Sequence, residues 1–271
     1  MRNQRGVARR ETWDVGRTKW NVGRGTWNVA LKSLAGGRLF GSTFGEGAPR
    51  VLALHGWGRS HRDFSVDLEG LDAIAVDLPG FGASPPPDQV IGAHGYAEIL
   101  APVLSHFDAP PVVVGHSFGG RVAVALESDA PGSFAGMVLT GVPLVRRTSS
   151  STPPLGYRLI RAANRLGLVS DERLEREKRS RGSTDYRSAT GVMRDVLVTV
   201  VNESYERELA VIDLPVRLLW GENDTEVPVE VAERAMEILG ERSTLDIVEG
   251  GGHLLPITNP DRVRAEIEAL L

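Results

Sequence analysis

A serine in a glycine-rich turn is the residue of this chain whose neighbours best suit covalent chemistry. The segment Gly115-His-Ser-Phe-Gly-Gly120 follows the apolar run 111–114 and precedes the helical run 121–126. It is a G-x-S-x-G pattern in a strand–turn–helix context, in which the serine sits on a sharp turn and the residues two before and two after it must be small. The positive end of the helix that follows stabilises negative charge at the same place. We therefore predict that Ser117 is a nucleophile.

The serine needs a base, because a hydroxyl is a weak nucleophile without one. Among the six histidines, His253 follows the glycine-rich loop 248–252 after the last apolar run. From that loop an imidazole can reach back over the edge of a sheet. His116 lies inside the turn itself, and we expect its side chain to point elsewhere. The predicted base is His253.

A carboxylate is needed to hold the tautomer of the base and to stabilise its charged form. Asp224 follows the apolar run 217–220, and Glu222 and Glu226 lie on the same loop as alternatives. The loop after the preceding run, residues 140–145, contains no carboxylate. Asp224 is therefore the predicted acid, and the chain order of serine, acid and histidine is the one that accompanies this turn.

Two backbone amides are predicted to bind the oxygen on which negative charge develops. One belongs to Phe118, directly after the nucleophile, and the other to Trp57 in the turn His55-Gly-Trp-Gly58. The indole of Trp57 would then form part of the pocket wall. A plain tight turn is the alternative interpretation of this segment when it is taken alone.

A further glycine-rich turn, Asp77-Leu-Pro-Gly-Phe-Gly82, is interpreted as structural. Its glycines do not open a helix with the spacing of a phosphate-binding loop. Asp77 is predicted to cap or tie the turn rather than to act in catalysis.

Short apolar runs alternate with helical ones from residue 39 onward, which predicts a mainly parallel sheet covered on both faces. The predicted strands are 51–54, 73–76, 111–114, 136–139, 217–220 and 244–248. The predicted helices are 97–107, 120–128, 230–239 and 260–271. Residues 37–143 and 210–271 form the predicted core.

Residues 144–209 interrupt this alternation with helical pieces and no convincing strand, and are predicted to form a helical cap. They carry 13 Lys and Arg against nine Asp and Glu, although the whole chain has a net charge of −4. A solvated helical face explains such a surplus, and attraction of an anionic substrate or carrier is the alternative.

The first thirty residues contain a seven-residue repeat with Trp13, Trp20 and Trp27 in register. Each repeat places Trp and Val two apart, which suits neither a stable helix nor a long strand. Residues 1–30 are interpreted as a disordered extension, with a basic aromatic arm that binds a partner as the alternative.

The composition excludes several classes of function. The chain has 271 residues and no cysteine, which excludes disulfides and thiolate or zinc-thiolate chemistry. The negative net charge argues against nucleic-acid binding, and no apolar run approaches the roughly 18 residues of a membrane span. No apolar segment typical of a secretory signal follows the basic N-terminus. We expect a cytoplasmic protein without cofactor or metal, whose oligomeric state the sequence leaves open.

Taken together, these motifs resemble those of the α/β-hydrolase fold over about residues 37–271. The resemblance implies an eight-stranded, mostly parallel sheet with a helical cap inserted before the seventh strand, and Ser117, Asp224 and His253 as the triad. The turns at 55–58 and 77–82 are also similar to those of the pimeloyl carrier-protein methyl ester esterases, which use a basic cap to meet an acidic carrier.

The predicted activity is hydrolysis of a small carboxylic ester through an acyl-enzyme, on a substrate that is neutral, anionic or carrier-bound. The alternatives are C–C bond hydrolysis, thioesterase, amidase or cofactor-free peroxidase chemistry with the same triad, or ligand binding by a receptor. Aspartate-nucleophile chemistry is disfavoured, because the chain has serine at position 117.

Overall fold

The computed structural model describes residues 31–146, 164, 169, 170, 173 and 184–271 of the chain. The interpretations of the N-terminal repeat, and of most of the segment 147–183, concern residues outside these ranges and stay predictions.

Eight strands form one sheet: β1 (Leu31–Leu34), β2 (Leu39–Phe44), β3 (Val51–Leu54), β4 (Ala73–Asp77), β5 (Val112–His116), β6 (Gly136–Thr140), β7 (Val216–Gly221) and β8 (Ser243–Val248). Their spatial order is β1-β2-β4-β3-β5-β6-β7-β8. β2 pairs antiparallel with both β1 and β4, and every other pair is parallel. The predicted eight-stranded, mostly parallel sheet is confirmed.

The six strands predicted from apolar runs correspond to β3–β8. β1 and β2 were not recognised because they lie at the edge of the sheet and their sequences, LKSL and LFGSTF, contain no continuous apolar run. The sheet therefore begins at Leu31, six residues before the predicted core.

Helices cover the sheet: α1 (Ala93–Leu100), α2 (Phe118–Asp129), α3 (Thr184–Ser188), α4 (Gly191–Val200), α5 (Glu206–Val211), α6 (Val229–Leu239), α7 (Leu255–Thr258) and α8 (Pro260–Glu268). The helix predicted over 97–107 is instead α1 followed by a 3₁₀ segment, Ala101–His106. Pro102 explains the change, because it lacks the N–H that would continue the α-helical hydrogen bonds. Within the described ranges, no helix combines the length and hydropathy needed to cross a lipid bilayer.

Both faces of the sheet are buried, as the continuous apolar strands predict. In β3, Leu52 and Leu54 belong to the apolar cluster under α1 and α2, whereas Val51 and Ala53 belong to the cluster under α8. This alternation follows from the two-residue period of a strand. Because β3–β8 are parallel and packed on both faces, the polar residues that follow their carboxyl ends lie along one edge of the sheet.

Between β6 and β7, the described residues form the helices α3, α4 and α5 with irregular connections, and include no strand. Val196, Val200 and Leu209 of this segment are buried in the cluster that also holds α1 and α2. The amide of Tyr205 donates to the carbonyl oxygen of Leu144 at 2.8 Å. The C-terminal part of the predicted cap thus packs on the core, and α5 extends to Val211, beyond the predicted boundary at 209.

Candidate active site

Ser117 occupies a strained turn between β5 and α2, with φ 49° and ψ −111°. Such backbone costs on the order of 1–3 kcal/mol and persists only where the surroundings enforce it. A Cβ at Gly115 would lie 2.5 Å from the Cα of Gly120, and one at Gly119 would lie 2.2 Å from the carbonyl oxygen of Leu54. Only glycine fits at both positions, as the sequence pattern predicts.

Asp224 and His253 are hydrogen-bonded to each other, with 2.8 Å between the Asp224 Oδ2 and His253 Nδ1 atoms. The other carboxylate oxygen, Oδ1, accepts the amides of Glu226 and Val227 at 2.9 and 2.8 Å. Asp224 is buried, and the side chain of His253 is 10 % exposed. Because the carboxylate accepts a hydrogen bond from Nδ1–H, the Nε2 atom of the neutral ring carries the lone pair of a base.

The loops that carry these two residues are joined to each other. The amide of Asn223 donates to the carbonyl oxygen of Gly251 at 2.7 Å, and the amide of Gly250 donates to the Glu222 carboxylate at 2.9 Å. Trp220 fixes the first loop through an indole hydrogen bond to the carbonyl oxygen of Val227 at 2.8 Å. Glu222 is thus engaged with a backbone amide, whereas Asp224 contacts the imidazole, which supports the choice between these two acids.

Gly141, just after β6, leaves room for this pair. Its φ is 58°, and a Cβ there would lie 2.9 Å from His253 Nδ1 and 3.3 Å from Asp224 Oδ2. Any side chain at this position would push the acid and the base apart.

Ser117 and His253 line one cavity of about 500 Å³, together with Trp57, Glu226 and Asp185. Among the described residues, the Ser117 hydroxyl has no hydrogen bond to His253 Nε2, a contact that often tightens only with bound substrate. The Glu226 carboxylate, 66 % exposed, lies 3.6 Å from His253 Nε2.

Charged groups of both signs surround this cavity. Burial raises the pKa of Asp185, while the nearby His253 lowers it. Arg59 also lines the cavity, and its bidentate hydrogen bond to Asp63, at 2.6 and 2.8 Å, raises the pKa of the guanidinium. Among the described residues, no group of three or more His, Asp or Glu is placed to hold a metal ion.

The two predicted oxyanion donors belong to turns that meet at the cavity. His55 anchors the first turn: its Nδ1–H donates to the carbonyl oxygen of Gly56 at 2.7 Å, and its Nε2 accepts the amide of Leu78 at 2.9 Å. Burial lowers the pKa of His55, which keeps the ring neutral in this role. Within the described part of the chain, the amides of Trp57 and Phe118 donate to no other group. Both amides therefore remain available to a ligand.

An aromatic wall stands beside these amides. The ring of Trp57 makes edge contacts with Phe81 and Phe118, at centroid distances of 4.9 and 5.4 Å, and Tyr96 contacts Phe118 at 4.8 Å. The side chain of Trp57 is part of the pocket wall, as predicted.

Asp77 ties two turns together, as predicted. Its carboxylate accepts the amide and the Nδ1–H of His61 and the amide of Ala83, each at 2.8 Å. It does not line the cavity of Ser117.

The expectation that His116 points away from the site is wrong. Its ring lines the same cavity, and its Nε2 lies 2.9 Å from the carbonyl oxygen of His253. One sequence feature indicated this contact: His116 ends an otherwise apolar strand, and a buried polar ring needs a hydrogen-bond partner.

Comparison with known proteins identifies the family and agrees with the fold. The profile of the Alpha/beta hydrolase family matches residues 51–266. The chain is 37 % identical over 117 residues to an esterase of Mycobacterium tuberculosis, a match that covers 41 % of this chain and only 39 % of that protein. It is 27 % identical over 257 residues to a pimeloyl-[acyl-carrier protein] methyl ester esterase of Serratia marcescens, covering 86 % and 98 %. The crystal structure of a Rhodococcus esterase shares the fold, with a TM-score of 0.62, 23 % identity, and coverage of 90 % and 98 %.

Proposed function

We propose that this chain, which belongs to the Alpha/beta hydrolase family, is a serine hydrolase that cleaves a small carboxylic ester. The observation that carries the proposal is the hydrogen bond between Asp224 and His253 beside Ser117 on its strained turn. The nucleophile and the base then line one cavity, and the orienting acid is hydrogen-bonded to the base, the arrangement that acyl transfer requires.

The reaction follows from the protonation states. Nε2 of His253 takes the proton of the Ser117 hydroxyl as Oγ attacks the ester carbonyl carbon. Asp224 holds the Nδ1–H and stabilises the imidazolium that forms. The amides of Trp57 and Phe118 bind the oxyanion, in the manner of an oxyanion hole. The imidazolium then protonates the departing alkoxide, which leaves an acyl-enzyme.

Water completes the cycle. His253 accepts a proton from the water as its oxygen attacks the acyl carbon, and the imidazolium then returns that proton to Ser117 Oγ as the acyl–oxygen bond breaks. The acyl group departs as a carboxylic acid, and both Ser117 and His253 regain their starting forms. No step needs a metal ion or an organic cofactor. Amide, thioester and C–C substrates, peroxide chemistry and ligand reception remain the competing outcomes, since fold alone does not fix function.

The substrate is proposed to be a small-molecule ester. Capture of an anionic or carrier-bound ester by the basic segment before β7 is the second candidate, favoured by the charge surplus of that segment. A cytoplasmic location stays part of the proposal.

The test compares the wild-type protein with Ser117→Ala on p-nitrophenyl esters of increasing acyl length. We expect turnover in the wild type and a kcat lower by roughly 10³-fold or more in a folded alanine variant. A fluorophosphonate should label Ser117, as shown by peptide mass spectrometry. Equal ester turnover by the two proteins would contradict the proposal, and activity confined to C–C, amide, thioester or peroxide substrates would redirect it.

A further inference from the structure

The ring of His116 lies almost fully inside the protein, yet touches the loop of the proposed base. It is 2 % exposed, and its centroid is 4.9 Å from that of His253. Its Nε2 lies 2.9 Å from the carbonyl oxygen of His253. The hydrogen bond is therefore to the backbone that carries the base, while the two imidazole rings pack against each other.

The hydrogen bond fixes the tautomer of His116. A carbonyl oxygen can only accept, so Nε2 must carry the proton and donate it. Nδ1 then holds a lone pair, and within the described residues this buried atom has no hydrogen-bond partner. Burial, with the adjacent His253, lowers the pKa of His116 to about 3, so the ring stays neutral at working pH.

The surroundings hold the ring in this orientation. A Cβ at Gly56 would lie 2.7 Å from His116 Nδ1 and 3.0 Å from its Cε1 atom. The turn that offers the Trp57 amide therefore packs directly against the Nδ1 and Cε1 atoms of the ring, with no room for a side chain at position 56. One rigid ring spans the oxyanion turn and the loop of the base.

From this geometry we infer that His116 is a positioning residue, which fixes the backbone of His253 so that Nε2 stays aimed at Ser117. The inference rests on the proposed function. Holding a catalytic group in place matters strongly for rate, since a misplacement of about 1 Å can lower a rate by about 100-fold. A neutral donor suits this task, because a second positive charge would oppose formation of the imidazolium on His253.

The decisive comparison is between His116→Gln and His116→Asn. The side-chain amide of glutamine places its N–H near the position of the histidine Nε2, whereas that of asparagine is one methylene shorter and reaches only the position of Nδ1. Both variants are polar and neutral, so they differ mainly in whether the carbonyl oxygen of His253 receives a hydrogen bond. Thr140→Val is the matched control, because Thr140 pairs with His116 in the sheet, is equally buried, and its hydroxyl has no hydrogen-bond partner within the described ranges.

The measurements are kcat and KM for p-nitrophenyl butyrate, the rate of fluorophosphonate labelling, and thermal unfolding. We expect His116→Asn to lower kcat and the labelling rate together by about 10-fold, with KM changed less than about twofold. His116→Gln should recover most of that loss, and Thr140→Val should stay near the wild type.

Equal kcat in the asparagine and wild-type proteins, or an equal loss in the glutamine and asparagine variants, would overturn the inference. An equal loss in Thr140→Val would do the same, since it would show a general packing effect.

If one variant does not fold, nitrogen NMR of labelled histidine in the wild type decides. A protonated, hydrogen-bonded Nε2 on His116 down to about pH 5 is expected, and an Nδ1–H tautomer would refute the geometry. Ser117→Ala separates the two proposals: if it matches the wild type, the proposed function fails, whatever His116 does.

Discussion

Replacement of Asp67 by asparagine should stabilise the protein increasingly as pH rises. Asp67 lies between Phe64 and Leu68, both buried in the cluster under α8, and is itself fully buried. Neither of its carboxyl oxygens has a hydrogen-bond partner among the described residues. Burial, weakly offset by its own amide, raises the pKa of Asp67 from 3.8 to about 8, and the nearby carboxylates of Asp63 and Asp261 add to the rise.

The magnitude follows from proton linkage. The folded state keeps the proton up to about pH 8, whereas the unfolded chain releases it above about pH 4. Folding therefore takes up a proton in this window, and the free energy of unfolding falls by about 1.4 kcal/mol for each pH unit of increase. By pH 7 the accumulated loss is about 4 kcal/mol, a large part of the 5–15 kcal/mol of an ordinary domain.

Urea unfolding of the wild type and Asp67→Asn, followed by tryptophan fluorescence at pH 5, 6, 7 and 8, measures this difference. The asparagine side chain is similar in shape and does not titrate, so the gap between the two proteins should widen by about 1.4 kcal/mol per pH unit and level off above pH 8. Contributions from the histidines cancel in the difference. Asp88→Asn, at an exposed carboxylate, is the control, and its free energy of unfolding should change with pH in parallel with that of the wild type. A constant gap between Asp67→Asn and the wild type would refute the reasoning.

Four further outcomes are expected. Asp224→Asn should lower kcat by roughly 10³–10⁴-fold, while Glu222→Gln stays within about threefold; the reverse order in ester assays would assign the acid to Glu222. Gly141→Ala should reduce kcat by at least about 10-fold through contact with the acid and base, and Gly132→Ala, with positive φ but open space, should affect only thermal stability. Removal of residues 1–30 should leave circular dichroism and turnover unchanged, and loss of folding would show that the segment belongs to the core. Between 0.1 and 1 M salt, kcat/KM should fall more for an ester with a distal carboxylate than for its neutral counterpart, because the Debye length shrinks from about 10 to about 3 Å; equal responses would assign the cap charge to a solvated face.

The sheet was predictable where strands are buried on both faces. Val112–Val114 and Leu218–Trp220 are continuous apolar runs, and this pattern identifies central parallel strands. β1 and β2 carry no such pattern: three of the four residues of the edge strand β1 are exposed, and β2 contains glycine, serine and threonine between its apolar residues. β1 pairs with the neighbouring β2, and the place of both in the sheet depends on the pairing of β2 with β4, far along the chain, which local sequence does not reveal.

The candidate site was predictable where chemistry constrains residue type. The glycines around Ser117 and the order of the three motifs predicted Ser117, Asp224 and His253. In the structure, Ser117 and His253 line one cavity, and Asp224 is hydrogen-bonded to His253. His116 was misjudged because its role depends on a contact 137 positions away, between its ring and a backbone oxygen of any residue type. The requirement for Gly141 is equally invisible, because it comes from the His253 ring packed against it.

The loops after β7 and β8 are hydrogen-bonded to each other, so the acid–base pair that they carry is held independently of most of the segment between β6 and β7. The distance between Asp224 and His253 is set by neighbouring parallel strands and by their loops, and none of these hydrogen bonds involves the segment between β6 and β7. Exposed residues of that segment can therefore be recharged without retuning the acid–base pair, whereas Gly141, Val196 and Val200 must be kept for the space and the packing that they provide. Under the proposed function, proton transfer and choice of substrate would then be separable, and substitution of exposed residues between β6 and β7 is the natural engineering route to new selectivity.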